Sequence, residues 1–318
     1  MTRKLLWLMM IAVTLAGMAS GCGAPDRKAT ADQLRQAIKA MPGVRDATVN
    51  STNDFEQGAT VNIYVFLPDA SHQQIEDVVA RINAVRGDAF AKFDQTADFA
   101  VTPSRTVLVK RGADLDPPTV AADADGLRTL TATVDTAEAS VFRNKSTVDL
   151  KLTKVTTPAA DVFAAVRTGF GDDAHLQVNL APAGIDTPTW QVAFPFAPTA
   201  QQLVDQQLAA MPVSVSSITV GSDGTIADLN VSLHNRDTAY QDLVAVIGTI
   251  GAGPAHALNL SWRLDGDKGS PQFGGSVDVG ACNYLPNSAV EQHPENYLTP
   301  DALALQQRLR KQFDACPK

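Results

Sequence analysis

The sequence predicts an α+β protein of about three tandem ferredoxin-like (split βαβ) repeats followed by a C-terminal helical tail. Three internal likenesses carry this reading. TADQLRQAIKAMP (residues 30–42) matches TAQQLVDQQLAAMP (residues 199–212) with one residue inserted. VNIYVFLPDASHQQIEDVVARI (61–82) has the layout of ADLNVSLHNRDTAYQDLVAVI (227–247), an alternating strand that ends at Leu67 or Leu233, a polar turn, then apolar residues at helical spacing. A fainter middle copy is marked by AHLQVNL (174–180), which echoes AHALNL (255–260).

Taken in order, the first unit reads as helix 30–41, strands 44–50 and 59–67, helix 71–86, and strands 97–102 and 105–110. The second reads as helix 119–128, strands 130–141 and 146–155, helix 157–169 with Thr157 as N-cap and Pro158 at N1, and strand 175–180. The third is strand 189–196, helix 199–210, strands 213–220 and 225–233, helix 237–250 and strand 256–263, the split βαβ order in full. The first unit lacks its opening strand. Either it is incomplete, or a strand elsewhere, at 273–279, closes it. The rival reading is a set of unrelated α+β domains that share only amphipathic pattern, and the matching AMP ends and cap positions favour repetition.

Pro-rich, Gly-containing stretches at 111–118 (RGADLDPP) and 181–188 (APAGIDTP) mark the linkers. The expected divisions are a signal peptide at 1–21, a tether at 22–29, repeats at 30–110, 111–188 and 189–280, and a tail at 281–318. In the tail Thr299 caps a helix with Pro300 at N1, and Leu305, Leu309 and Phe313 form one apolar stripe.

Of the 318 residues, 45% are hydrophobic and 19% charged, which excludes a disordered chain. The net charge of −8, without a basic run, argues against nucleic acid and against adhesion to anionic lipid head groups.

The N-terminus places the protein. Arg3 and Lys4 precede the apolar run LLWLMMIAVTL, and small residues close it, the n-, h- and cleavage-region order of a signal peptide. The run is shorter than the roughly 20 apolar residues of a permanent span. Ala19-Ser20-Gly21-Cys22 resembles the lipobox of bacterial lipoproteins, with Ala19 where Leu is usual, and the Lys-poor composition is similar to that of actinobacterial exported lipoproteins. The resemblance implies that Cys22 is acylated, that the mature chain begins there, and that it is held on the extracytoplasmic face of the cell membrane by its lipid anchor. The alternatives are an ordinary secretory signal and an uncleaved anchor helix. With Cys22 lipidated, Cys282 and Cys316 remain in an oxidising compartment, where they are expected to form a disulfide; two free buried thiols are the alternative.

The search for chemistry is thin. His72, His175, His234, His256 and His293 are scattered without metal-ligand spacing, and His175 and His256 hold equivalent strand-start positions. GTIGAGP (248–254) follows a helix and so reads as its C-cap rather than a phosphate loop, and DGDKG (265–269) reads as a turn rather than a calcium loop. The pairs Asp114/Asp116, Asp123/Asp125 and Asp172/Asp173 are expected on solvated turns and helix starts. Trp190, Phe194 and Phe196 alternate along TWQVAFPF; they are either one core face or, as the candidate binding residues, an exposed aromatic strip for a partner. No catalytic residue, metal ligand or cofactor is expected. The function expected is that of a binding or scaffold module tethered in the envelope, its partner an envelope protein or wall polymer, with a lipid or small-solute carrier as the alternative.

Overall fold

A computed structural model describes residues 27–54, 58–171, 173–185 and 187–316. The signal segment and Cys22 lie outside these residues. Helix α1 (Lys28–Lys39) leads into strands β1 (Asp46–Asp54) and β2 (Gly58–Phe66); α2 (His72–Arg86) leads into β3 (Asp94–Ala100) and β4 (Val107–Arg111). The same helix-strand-strand order continues with α3 (Pro117–Thr131), β5 (Glu138–Arg143) and β6 (Val148–Val155), then α4 (Ala159–Phe170), β7 (Leu176–Pro182) and β8 (Thr189–Ala193). It ends with α5 (Pro198–Ala209), β9 (Ser214–Val220), β10 (Ile226–Leu233), α6 (Ala239–Ile250), β11 (Leu258–Leu264) and β12 (Gly274–Val279). A short α7 (Ala289–Gln292), a 3₁₀ turn (Pro294–Asn296) and α8 (Pro300–Phe313) form the tail. Among the described residues no helix is long and apolar enough to cross a membrane.

The strand order corrects the split βαβ expectation. All twelve strands form one mixed sheet in sequence order from β1 to β12. The helices α2 to α6 therefore each join two strands that are parallel neighbours, as α2 joins β2 to β3 and α5 joins β8 to β9, where a split unit would place another strand between them. β12 also does not close the first unit: it lies at the far edge of the sheet, paired with β11.

Register explains why one face is core. Ala47 and Val49 on β1, Ile63 and Val65 on β2 and Ala97 and Phe99 on β3 are buried and neighbour one another, and the series runs on through Val109, Val141, Leu150, Val178 and Val192 to Leu260 and Val277. Side chains alternate in a strand, so the helices cover this face and leave the other open.

Local chemistry sets the helix ends. Ser71 and Gln74 make a capping box on α2, Asp116 caps α3 ahead of Pro117, and Thr299 caps α8 ahead of Pro300 as read from the sequence. Gly251 takes φ 72° and closes α6 through its own and the Ala252 N–H to Ile247, confirming GTIGAGP as a C-cap. Two boundaries differ from expectation. α3 runs to Thr131, so the strand expected at 130–141 begins only at Glu138. α4 begins at Ala159 with Pro158 as N-cap; Thr157 is drawn away because its Oγ1 accepts the Asp135 N–H at 2.8 Å.

Cys282 and Cys316 are disulfide-bonded across 34 residues, tying the segment just after α8 to the segment just after β12. On the chain-entropy estimate this closure contributes about 4 kcal/mol.

Candidate functional site

The open sheet face carries polar side chains by the same alternation that makes the opposite face apolar. Between β6 and β11 one row reads Lys151, Asn179, Gln191, Thr219, Asp228 and Asn259, each opposite the next across the ladder. At about 4.8 Å per strand this row is roughly 24 Å long. It ends at Asp278 on β12, which accepts from Asn259 Nδ2 at 2.7 Å and from the Asn283 N–H at 2.6 Å and is buried beneath the tail. A second row, Thr189, Ser217, Asn230, Ser261 and Ser276, runs beside the first.

Two grooves follow these rows. One of about 530 Å³ is lined by Lys151, Asn179, Gln191, Thr219, Asp228 and Asn230. The other, about 510 Å³, shares Ser217 and Asn230 with it and continues over Ser261 and Gln272 to Tyr297 of the tail. The shared residues make one polar trough, open to solvent. Trp262, whose indole Nε1 is buried without a hydrogen-bond partner, borders its far end. Burial, and secondarily the charge of Asp278, pushes the Asp228 carboxyl up. Such a surface offers hydrogen-bond donors and acceptors in ranks and no strong field of one sign.

Of the two readings of TWQVAFPF, core face or exposed strip, the rings take the core face. Trp190, Phe194 and Phe196 are only 6%, 1% and 0% exposed, and Phe163 of α4 meets Trp190 and Phe196 edge-to-face at 5.4 and 5.5 Å. Each such contact adds about 0.5–1.5 kcal/mol beyond burial, so these rings are core and not a partner surface. β8 ends at Ala193, and the chain turns inward through Phe194 and Phe196 to start α5.

One acidic pair is likewise corrected. Asp125 is exposed and bonds His72 Nδ1 at 2.6 Å, and Asp116 is a cap, but Asp123 is buried. It pairs with the buried Arg111 and receives Nε and Nη2 of Arg143 at 3.2 and 3.1 Å, while Arg143 Nη1 reaches Asp173 at 3.2 Å. Burial lowers the Arg111 pKa, and the Asp123 charge opposes this. A signal existed in the sequence. Asp123 sits on the stripe of Val120, Leu127 and Leu130, and Arg111 and Arg143 continue the inward alternation of Val107-Val109 and Ala139-Val141. The network joins β4, α3 and β5 and closes the groove of about 460 Å³ at their ends, with Phe142 and Lys145 on its rim. Its cations are already matched by carboxylates, so it fits a structural clamp.

His175 precedes β7 and His256 precedes β11, as their equivalence implied. Asp267 of the 265–269 turn accepts from the Gly269 and Phe273 N–H groups, and these bonds lower its pKa. Among the described residues no group of three or more His, Cys, Asp or Glu side chains is arranged to hold a metal ion. Compared with protein families, curated proteins and solved structures, the chain matches none of them.

Proposed function

We propose that this chain is a lipid-anchored, extracytoplasmic binding or scaffold protein of a bacterial envelope, and that the open sheet face is the surface it presents. The observation that carries the reading is the continuous polar trough of β6–β12 on the sheet face opposite the apolar core. A long, shallow, hydrogen-bonding surface suits an extended polar partner, an envelope protein or wall polymer, better than a compact solute. A carrier would need an enclosed apolar cavity, and the grooves on this face are open and polar. The lipobox-like Cys22 and a disulfide suited to an oxidising compartment support the address. The reading assigns no catalysis.

Crosslinking in intact cells tests it. The unaltered protein is expected to capture one reproducible partner, and Asn179→Arg with Gln191→Arg, at a half-buried and an exposed polar position of the trough, is expected to abolish capture without changing the melting temperature. Unchanged capture by the double variant overturns the surface assignment. Cys22→Ala is expected to release the protein from membranes and remove acyl labelling; persistent labelling overturns the anchor.

A further inference from the structure

The two ends of the sheet are finished differently. At β12 the tail replaces a strand: Gln306 Oε1 accepts the Ser276 N–H at 2.9 Å, and Arg310 Nε donates to the Ser276 carbonyl at 3.1 Å. Arg310 is fixed in turn by a bidentate pair with Glu291 at 2.7 Å and by the Tyr284 ring, and the disulfide holds α8 in place. At the other end, β1 is nine residues long, regular against β2, and free of Pro, Lys and bulges, the usual devices that blunt an edge. Among the described residues no strand lies beyond it.

The repeat shows what belongs there. β1 reads Asp46-Ala47-Thr48-Val49 and β5 reads Glu138-Ala139-Ser140-Val141, with Ala and Val facing inward in both. Beside β5, parallel to it and joined to it through α3, runs β4, which sets Val107 against Ala139 and Val109 against Val141. Beside β9, joined through α5, runs β8, which sets Trp190 against Ile218 and Val192 against Val220. Beside β1 the same place is a groove of about 800 Å³ between β1 and α1, bordered by Ala31, Arg35 and Lys39 from above and Ala47, Val49 and Ser51 from the side.

We infer that this groove is a strand-docking site, which takes an extended polypeptide segment of a partner protein parallel to β1, with apolar side chains at two alternate positions beside Ala47 and Val49. Backbone hydrogen bonds supply affinity and the alternate apolar positions supply selectivity, as in β-augmentation generally. A second copy is a poor occupant: twofold pairing of β1 with β1 would bring another α1 into the space this α1 occupies above the seam. The chain's own candidate is also poor. β4 and β8 end a few residues before their helices, and that spacing upstream of α1 falls on residues around 18–23, which the lipoprotein reading largely removes by cleavage before Cys22. This last step rests on the proposed processing, which acyl labelling tests separately.

The test uses the full chain and a synthetic peptide of residues 104–112 (SRTVLVKRG), the segment containing β4. Hydrogen exchange is expected to slow by about tenfold or more in the β1 amides on adding peptide, with other strands unchanged. The peptide with both valines replaced by lysine is expected to have no effect, and Arg35→Trp, which fills the groove from α1, is expected to block protection. No added protection at saturating peptide overturns the inference. So does protection of β1 that rises with protein concentration alone, which would assign the edge to a second copy, or full protection without peptide, which would assign it to the chain's own residues.

Discussion

Replacing Asp123 by Asn isolates the clamp that joins β4, α3 and β5. Asn keeps the shape and one acceptor but removes the charge between two guanidinium groups. Arg143 retains Asp173 and is partly exposed. Arg111 does not have that alternative: its side chain is 3% exposed, and its other partners are the Lys110 and Thr119 carbonyls. Removing one member of a buried pair costs about 3–5 kcal/mol, and the second acid available to Arg143 places this variant near the lower end, about 3 kcal/mol. At roughly 2–4 °C per kcal/mol for a domain of this size, the melting temperature is expected to fall by about 6–12 °C. Circular dichroism melts of the variant beside the unaltered protein measure it. The matched double replacement Arg111→Met with Asp123→Leu, which removes the buried charge pair together, is expected to recover most of the loss. A loss under about 1 kcal/mol for Asp123→Asn, or a double variant worse than the single, refutes the assignment of an energetically coupled buried pair.

Other consequences are as direct. Asp173→Asn, on the partly exposed arm of the same network, is expected to cost about 1 kcal/mol or less, measured by urea unfolding. His72 is held above its ordinary 6.5 mainly by its bond to Asp125, so its NMR titration is expected to midpoint higher and to return toward 6.5 in Asp125→Asn. The pair's contribution is present below pH 6.5 and fades as pH rises through the raised value, so a downward-shifted His72 would contradict the bond. Gly126 and Gly169 bring α3 and α4 so close that a Cβ on either meets the other's carbonyl at 2.9 or 2.7 Å; Gly169→Ala is expected to cost about 1–3 kcal/mol in thermal unfolding, and a neutral result would contradict that contact. Thiol titration of the unfolded, unreduced protein is expected to find neither Cys282 nor Cys316, and reduction is expected to speed exchange at Ser276 and its neighbours on β12.

Elements were legible where two signals agreed. Alternation bounded by turn residues located β2 and β10, apolar spacing after a polar turn located α2, and a cap with an apolar stripe located α8. Strand order was not legible, because alternation tells which face of a strand is buried and is silent on its neighbour. The preference for right-handed crossovers does not lead to the observed order either. In a split arrangement both helices can share one face with right-handed crossovers throughout. In the observed order, crossovers through α2, α4 and α6 leave strands running one way and those through α3 and α5 leave strands running the other, so helices on a single face require alternating hands.

The open face was hidden for a different reason. Asn179, Gln191, Thr219 and Asp228 come from four strands spread over fifty residues, and each alone is an ordinary solvent position. They become a row only through register, a long-range property that no local window carries. No strand reads ahead of the first helix in the sequence, and among the described residues none lies beyond β1. Stacked units contact only their neighbours, so an array exposes the seam of its terminal unit unless something caps it. The tail caps β12 with Gln306 and Arg310 and is secured by a disulfide, which shows that an unpaired edge in this fold is costly enough to be covered. β1 has the same Ala and Val inward pair as β5, and a groove lies between it and α1. Among the described residues, then, one end of the sheet is covered by the tail and the other carries a groove beside β1, where the inferred strand would dock.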